Sequence, residues 1–194
     1  MRVPNPAGSG ALVGRGAAAV TWIIVIASLA VLLGLYLSWT AGRLDRLHAR
    51  VDAARAVLDA QLLRRSGAAL DIATGGLLDP ASAVLVADAA TRARTQEAGD
   101  REQVESDLTA ALSAALDDAE FVARLRAEQG AGAALDELAA ACRRVGHARR
   151  FHNDTVRSAR RLRSKVLVRW LQLAGHAPWP ETVEFDDSVP SPFR

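Results

Sequence analysis

The sequence predicts an all-α protein, an N-terminal transmembrane helix continuing into an antiparallel up-down four-helix bundle. Three observations predict it. Residues 17–39, AAAVTWIIVIASLAVLLGLYLSW, contain no charged side chain. Beyond them, apolar residues recur at three- and four-residue steps, the spacing of an amphipathic helix. No stretch shows a convincing period-two alternation, so a sheet is not expected.

The apolar run is long enough for a bilayer, whose hydrocarbon of roughly 30 Å needs about 20 helical residues. In lipid its backbone must satisfy its own hydrogen bonds, which requires a helix. Trp22 near one end, and Tyr36 and Trp39 near the other, resemble the aromatic belts of a membrane-spanning helix. The run exceeds the apolar region of a cleaved signal, and Trp39 stands where a cut after Ala41 needs a small residue. An uncleaved anchor is expected. Arg2 and Arg15 precede it, whereas Arg43, Arg46, Arg50 and Arg55 follow it. Cations stay inside, which puts the bulk domain in the cytoplasm.

Four segments result: an irregular tail at 1–16 with Pro4, Pro6 and four glycines, the membrane helix at 17–39, a helical-bundle domain at 40–175, and an extended proline-rich tail at 176–194. The first helix is expected to run from the membrane to about Ala73, since no proline lies between Ala7 and Pro80. Leu44, Leu47, Val51, Ala54, Leu58 and Leu62 form its stripe, and Gly75 and Gly76 stop it. Asp79 and Pro80 start a second helix as N-cap and first helical residue, running to about Glu97. Asp100 is expected to cap a third, with Gln103 completing a capping box and a bend at Asp117 and Asp118. The last long helix starts near Ala133, its stripe running through Leu135, Leu138, Cys142, Val145, Val156 and Leu162. The lone Cys142 reads as a small core residue and excludes an intramolecular disulfide.

Two stretches carry a likeness. Residues 59–65, DAQLLRR, are similar to a glutamine-leucine-basic-arginine run late in the first long helix of the LemA family. Residues 148–156, ARRFHNDTV, resemble that family's ARxxYN segment in its last helix. With the order of elements, the chain resembles a divergent branch of that family over residues 20–175. His152 replaces the usual tyrosine, residues 66–70 replace a leucine-isoleucine-proline-asparagine run, and a second asparagine is missing near Ala159 and Arg160. The resemblance implies a membrane-anchored helical protein, in a family without an established activity that is sometimes linked to membrane proteases or envelope processes.

Asn153 is a mediocre helix former in mid-helix, and Gln61 and Arg65 share a helix face four residues apart. An interhelical polar contact among Gln61, Arg65, Arg149 and Asn153 is expected, orienting the bundle. The last helix is strongly basic. Arg157, Arg160, Arg161, Arg163, Lys165 and Arg169 extend a run that starts at Arg143, with only Asp154 as local counter-charge. Such a run is either a solvated face paired with carboxylates such as Glu102, Glu105 and Asp107, or a contact for anionic lipid, with Trp170 at the interface. Nucleic acid is not favoured, because aromatics are few and no binding motif occurs. No HExxH, CxxC, P-loop or serine-nucleophile elbow occurs, so no metal, cofactor or catalysis is expected. The expected function is a non-catalytic scaffold or adaptor with a protein partner, the alternative being an anionic-lipid or polyanion-binding module. Self-association through the first helix is possible without a clean heptad.

Overall fold

The computed structural model describes residues 9–95, 100–164 and 179–193. Among them the protein is all-helical, with no strand. Helix α1 (Ser9–Thr74) is one continuous helix of 66 residues. It carries one segment long and apolar enough to cross a membrane, none of which is buried by the rest of the protein. It starts inside the expected irregular tail, since no proline lies between Pro6 and Pro80 and extending a formed helix costs little.

In its second half, Val51, Ala54, Leu58, Leu62, Arg65, Ala69 and Ile72 are buried, a stripe with three- and four-residue steps. The helix ends where the Gly75 amide donates to the Asp71 carbonyl and Gly76 takes φ +72°, a left-handed backbone that suits glycine. Helix α2 (Pro80–Thr95) follows. Asp79 Oδ1 accepts from the amides of Ala81 and Ser82, at 3.0 and 3.1 Å. Hydrogen bonds from Ser82, side chain and backbone, hold the Asp79 carboxyl below its ordinary pKa.

Helix α3 (Arg101–Leu116) lacks the expected capping box. Asp100 has ψ 15°, not the extended backbone a capping side chain needs, and Gln103 Nε2 donates one turn onward to Asp107 Oδ1 at 2.8 Å. The expected bend at Asp117 and Asp118 is a full break. Asp118 Oδ1 accepts from the amides of Glu120 and Phe121 and starts the short α4 (Ala119–Arg126). Gly130, at φ +87°, then opens α5 (Ala131–Arg163). Lys165, Arg169 and Trp170 lie outside the described residues.

One core joins α1, α2, α3 and α5 through Ile72, Val86, Leu108, Leu112, Leu135 and Leu138, all essentially inaccessible to solvent. Cys142 belongs to this core, and burial pushes its thiol pKa up. Helix α5 lies antiparallel to α1: Leu58 and Leu62 meet Val145 and Ala148, whereas the earlier Val51 meets the later Val156 and Ala159. Residues 179–193 run extended over the packed helices, end in a 3₁₀ turn (Ser191–Phe193), and bury Val183, Phe185 and Phe193.

Candidate functional site

The tail lies in a groove walled by α3 and α5 and floored by Leu58 and Leu62 of α1. Residues Gly146, Arg149, Asn153, Arg160 and Arg163 recur at three-, four- or seven-residue steps, so one face of α5 presents them all. The tail runs antiparallel along that face. Arg163 stacks on the Trp179 ring at 4.7 Å. Arg160 Nε donates to the Pro180 carbonyl at 2.6 Å, and His152 Nε2 faces the Glu181 carbonyl at 3.3 Å. Arg149 forks onto Asp187 at 3.1 and 3.0 Å, and its remaining nitrogen reaches Glu184 Oε2 at 3.1 Å. Arg143 closes the row on the Phe193 carbonyl at 2.9 Å. The spacing fits an extended chain. Arg163 to Arg149 is about 21 Å of helix, and Trp179 to Asp187 is about 26 Å of extended backbone.

Asn153 makes the most specific contact. Its Nδ2 donates to the Val183 carbonyl at 3.0 Å while its Oδ1 accepts the Val183 amide at 2.9 Å. The side-chain amide thus replaces the neighbouring strand that an extended residue lacks. The α3 wall completes the backbone pairing. The Glu184 amide donates to Glu102 Oε1 at 2.9 Å and the Asp186 amide to Ser106 Oγ at 3.1 Å. Thr109 Oγ1 donates to the Asp186 carbonyl at 2.6 Å. These three wall residues stand four and three apart, on one face of α3. Val183 and Phe185 fill the floor, and Phe185 sits between the guanidiniums of Arg65 and Arg149, at 6.0 and 5.7 Å.

Beneath the tail, Arg65 and Glu105 form an ion pair at 2.6 Å with both side chains 1% exposed. Arg65 also donates to Thr109 Oγ1 at 3.0 Å and to the Glu105 carbonyl at 3.0 Å. The expected contact among Gln61, Arg65, Arg149 and Asn153 is therefore not what forms. Arg65 turns to α3, while Arg149 and Asn153 turn to the tail. The cause is that Glu105 offers Arg65 a full buried counter-charge, which an asparagine lacks. Gln61 Oε1 is buried without a hydrogen-bond partner.

The basic run is likewise divided. Arg149, Arg160 and Arg163 hold the tail, Arg157 pairs with Asp154 at 3.0 Å, and Arg161 is exposed. The carboxylates expected to neutralise the run are engaged elsewhere: Glu102 by a tail amide, Glu105 by Arg65, and Asp107 by Arg92 and Gln103. Tail carboxylates take their place.

Gly146 lies under Asp187. A Cβ there would stand 3.0 Å from Asp187 Oδ2, and Arg149 fixes that carboxylate. Gly146→Val is expected to loosen the tail while leaving helicity unchanged. Limited proteolysis should cut residues 179–193 faster than in the wild type; an equal rate contradicts the close fit.

His152 is buried, and burial lowers its pKa below the ordinary 6.5, against the raising effect of the Glu181 carbonyl. Arg55 lowers it further and Asp59 opposes this. The neutral ring is the folded form. Its stabilising effect is complete above the unfolded pKa and is lost as pH falls from there through the lower folded value. Thermal unfolding should therefore occur at lower temperature at pH 5.5 than at pH 7.5, and His152→Gln should remove most of that difference. An unchanged difference in the variant contradicts the assignment.

No family model, curated protein or solved structure matches the chain. Among the described residues, no three or more His, Cys, Asp or Glu side chains are grouped to hold a metal ion. Sequence reasoning missed Glu102, Ser106, Thr109, Gly146, His152 and the tail acids as one site. A signal was present in Val183 and Phe185, which alternate with Glu184 and Asp186.

Proposed function

We propose that this chain is a single-pass membrane protein whose helical bundle acts as a non-catalytic scaffold or adaptor. One observation supports it above the others. Helix α1 runs unbroken from the unburied apolar segment into the core, past Gly42. A continuous helix mounts the bundle rigidly, and the 36 residues from Trp39 to Thr74 span about 50 Å. In this reading the long helices α1, α2, α3 and α5 form an up-down bundle in the cytoplasm, and its surfaces engage a protein partner. The resemblance to the LemA family accords with an anchored helical protein.

Two measurements test it, one on isolated membranes and one on cells before and after lysis. Alkaline extraction should leave the chain in the membrane pellet. With Cys142→Ser and Ser191→Cys, an impermeant maleimide should label the chain only after lysis. Release by alkali removes the anchor, and labelling of intact cells reverses the orientation.

A second reading is contact with anionic lipid. The C-terminal end of α5 packs beside the part of α1 nearest the apolar segment, because Ala159 meets Val51 and Leu47. Arg43, Arg46 and Arg50 are exposed there, as are Arg157 and Arg161. A cation near an anionic leaflet contributes about 1 kcal/mol. Arg157→Glu with Arg161→Glu spares the arginines that hold the tail. Native mass spectrometry of the detergent-solubilised variant should retain fewer phosphatidylglycerol molecules than the wild type. An unchanged number removes this reading.

A further inference from the structure

We propose that the groove between α3 and α5 is a binding site for an extended acidic segment of a partner protein, with residues 179–193 as its resting occupant. This deepens the adaptor reading and rests on it. The groove recognises a polypeptide as such. Asn153, Glu102, Ser106, Thr109 and Arg160 all bond to backbone atoms of the tail, independently of its side chains. Side-chain recognition comes from apolar seats under Val183, Phe185 and Phe193, from Arg163 on the Trp179 ring, from Asn153 Nδ2 on Glu184 Oε1, and from the guanidinium of Arg149, which takes Glu184 and Asp187. Any extended segment with an aliphatic-acidic-aromatic-acidic-acidic order meets the demands made at residues 183–187.

The tail also leaves part of the groove unused. A cavity of about 380 Å³ lies between α1, α3 and the tail, lined by Arg55, Leu58, Arg101, Glu105, Thr182 and Phe185 among others. Arg101 and Glu105 line it, and each has one buried side-chain atom, Arg101 Nε and Glu105 Oε1, without a hydrogen-bond partner. Such groups are costly to leave unmet. One is an acceptor and the other a donor, the pair that a single side-chain amide satisfies. Thr182, which also lines the cavity, bonds to neither. The tail competes from within the same chain, at an effective concentration on the order of millimolar. A partner displaces it by supplying what it lacks, and a glutamine in place of Thr182 is the simplest such addition.

The test uses the full chain in detergent and a fluorescent peptide of residues 179–193. Glu184→Arg with Asp187→Arg in the protein unseats its own tail without altering the groove. This variant should bind the native peptide at least about tenfold more tightly than the wild-type protein does. A peptide with the same two reversals should bind neither protein. A Thr182→Gln peptide should bind the variant about threefold or more tighter than the native peptide.

A variant that keeps wild-type helicity and does not bind the native peptide overturns the proposal. A Thr182→Gln peptide no tighter than the native one overturns the partner's share of the cavity. Should the variant lose helicity, the wild-type chain decides, using a peptide with a benzophenone in place of Phe185. Capture on α1 and α5 supports the site, and no capture at millimolar peptide overturns it. Dimers of the wild-type chain joined by exchanged tails assign the groove to a second copy and overturn the partner reading. Alkaline extraction reads the anchor separately, so failure here leaves the membrane assignment standing.

Discussion

Glu105→Ala is expected to lower the stability of the folded chain by about 3–5 kcal/mol, the usual cost of breaking a buried ion pair on one side. Both partners are 1% exposed, so Arg65 would keep its charge with no counter-ion and no water. Its remaining acceptors are Thr109 Oγ1 and the carbonyl of residue 105, neither of which is charged. The double change Arg65→Met with Glu105→Leu should restore most of the loss or exceed the wild type. An apolar pair of similar volume avoids the desolvation that the ions carry. Thermal unfolding of the three proteins, followed by far-ultraviolet circular dichroism, checks both statements. A single variant within about 1 kcal/mol of the wild type would mean that Arg65 reaches another acid or water.

Asn153→Leu is expected to release the tail while the helices stay folded. The leucine fits the volume but strands the Val183 amide and carbonyl, both of which Asn153 alone satisfies from the bundle. Each orphaned group costs about 1–3 kcal/mol when buried. The tail escapes that cost by leaving, which a folded core residue cannot do. Arg149→Lys should do the same more weakly, since an ammonium keeps the charge but loses the fork on Asp187. Limited proteolysis should cut the tail of Asn153→Leu at least about tenfold faster than that of the wild type, corresponding to about 1.4 kcal/mol or more. Equal protection would place the hold elsewhere, in the seats of Phe185 and Phe193.

The helices were legible because their signals are local. The stripe from Val51 to Leu62, the glycines after Thr74 and the Asp79-Pro80 start each act within a turn or two of chain. Asp117 and Asp118 were readable as an interruption, but whether Asp118 bends a helix or starts a new one depends on the ψ of 110° it adopts. The capping box at Asp100 failed because Gln103 had an equally local competitor in Asp107.

The groove was hidden for a different reason. Its contacts join residues 102–109 to 183–187, some 80 positions apart, and no periodicity reports such a pairing. Charge arithmetic pointed at the basic face of α5 but offered it the wrong acids. The acids it uses sit on an extended segment that has no helical pattern. Gly146 was the clearest overlooked sign. A glycine inside a 33-residue helix weakens it by about 1 kcal/mol relative to alanine, and the close approach of Asp187 supplies the reason.

The most direct measurement is amide hydrogen exchange on the full chain, resolved within residues 179–193. Four amides there donate to bundle-facing side chains: Val183 to Asn153, Glu184 to Glu102, Asp186 to Ser106 and Ser191 to Asp117. The seated tail predicts that these four exchange far more slowly than an unstructured peptide of the same sequence, and that Asn153→Leu abolishes the protection at Val183. Exchange of all four at the unstructured rate, with α1 and α5 still protected, would contradict it.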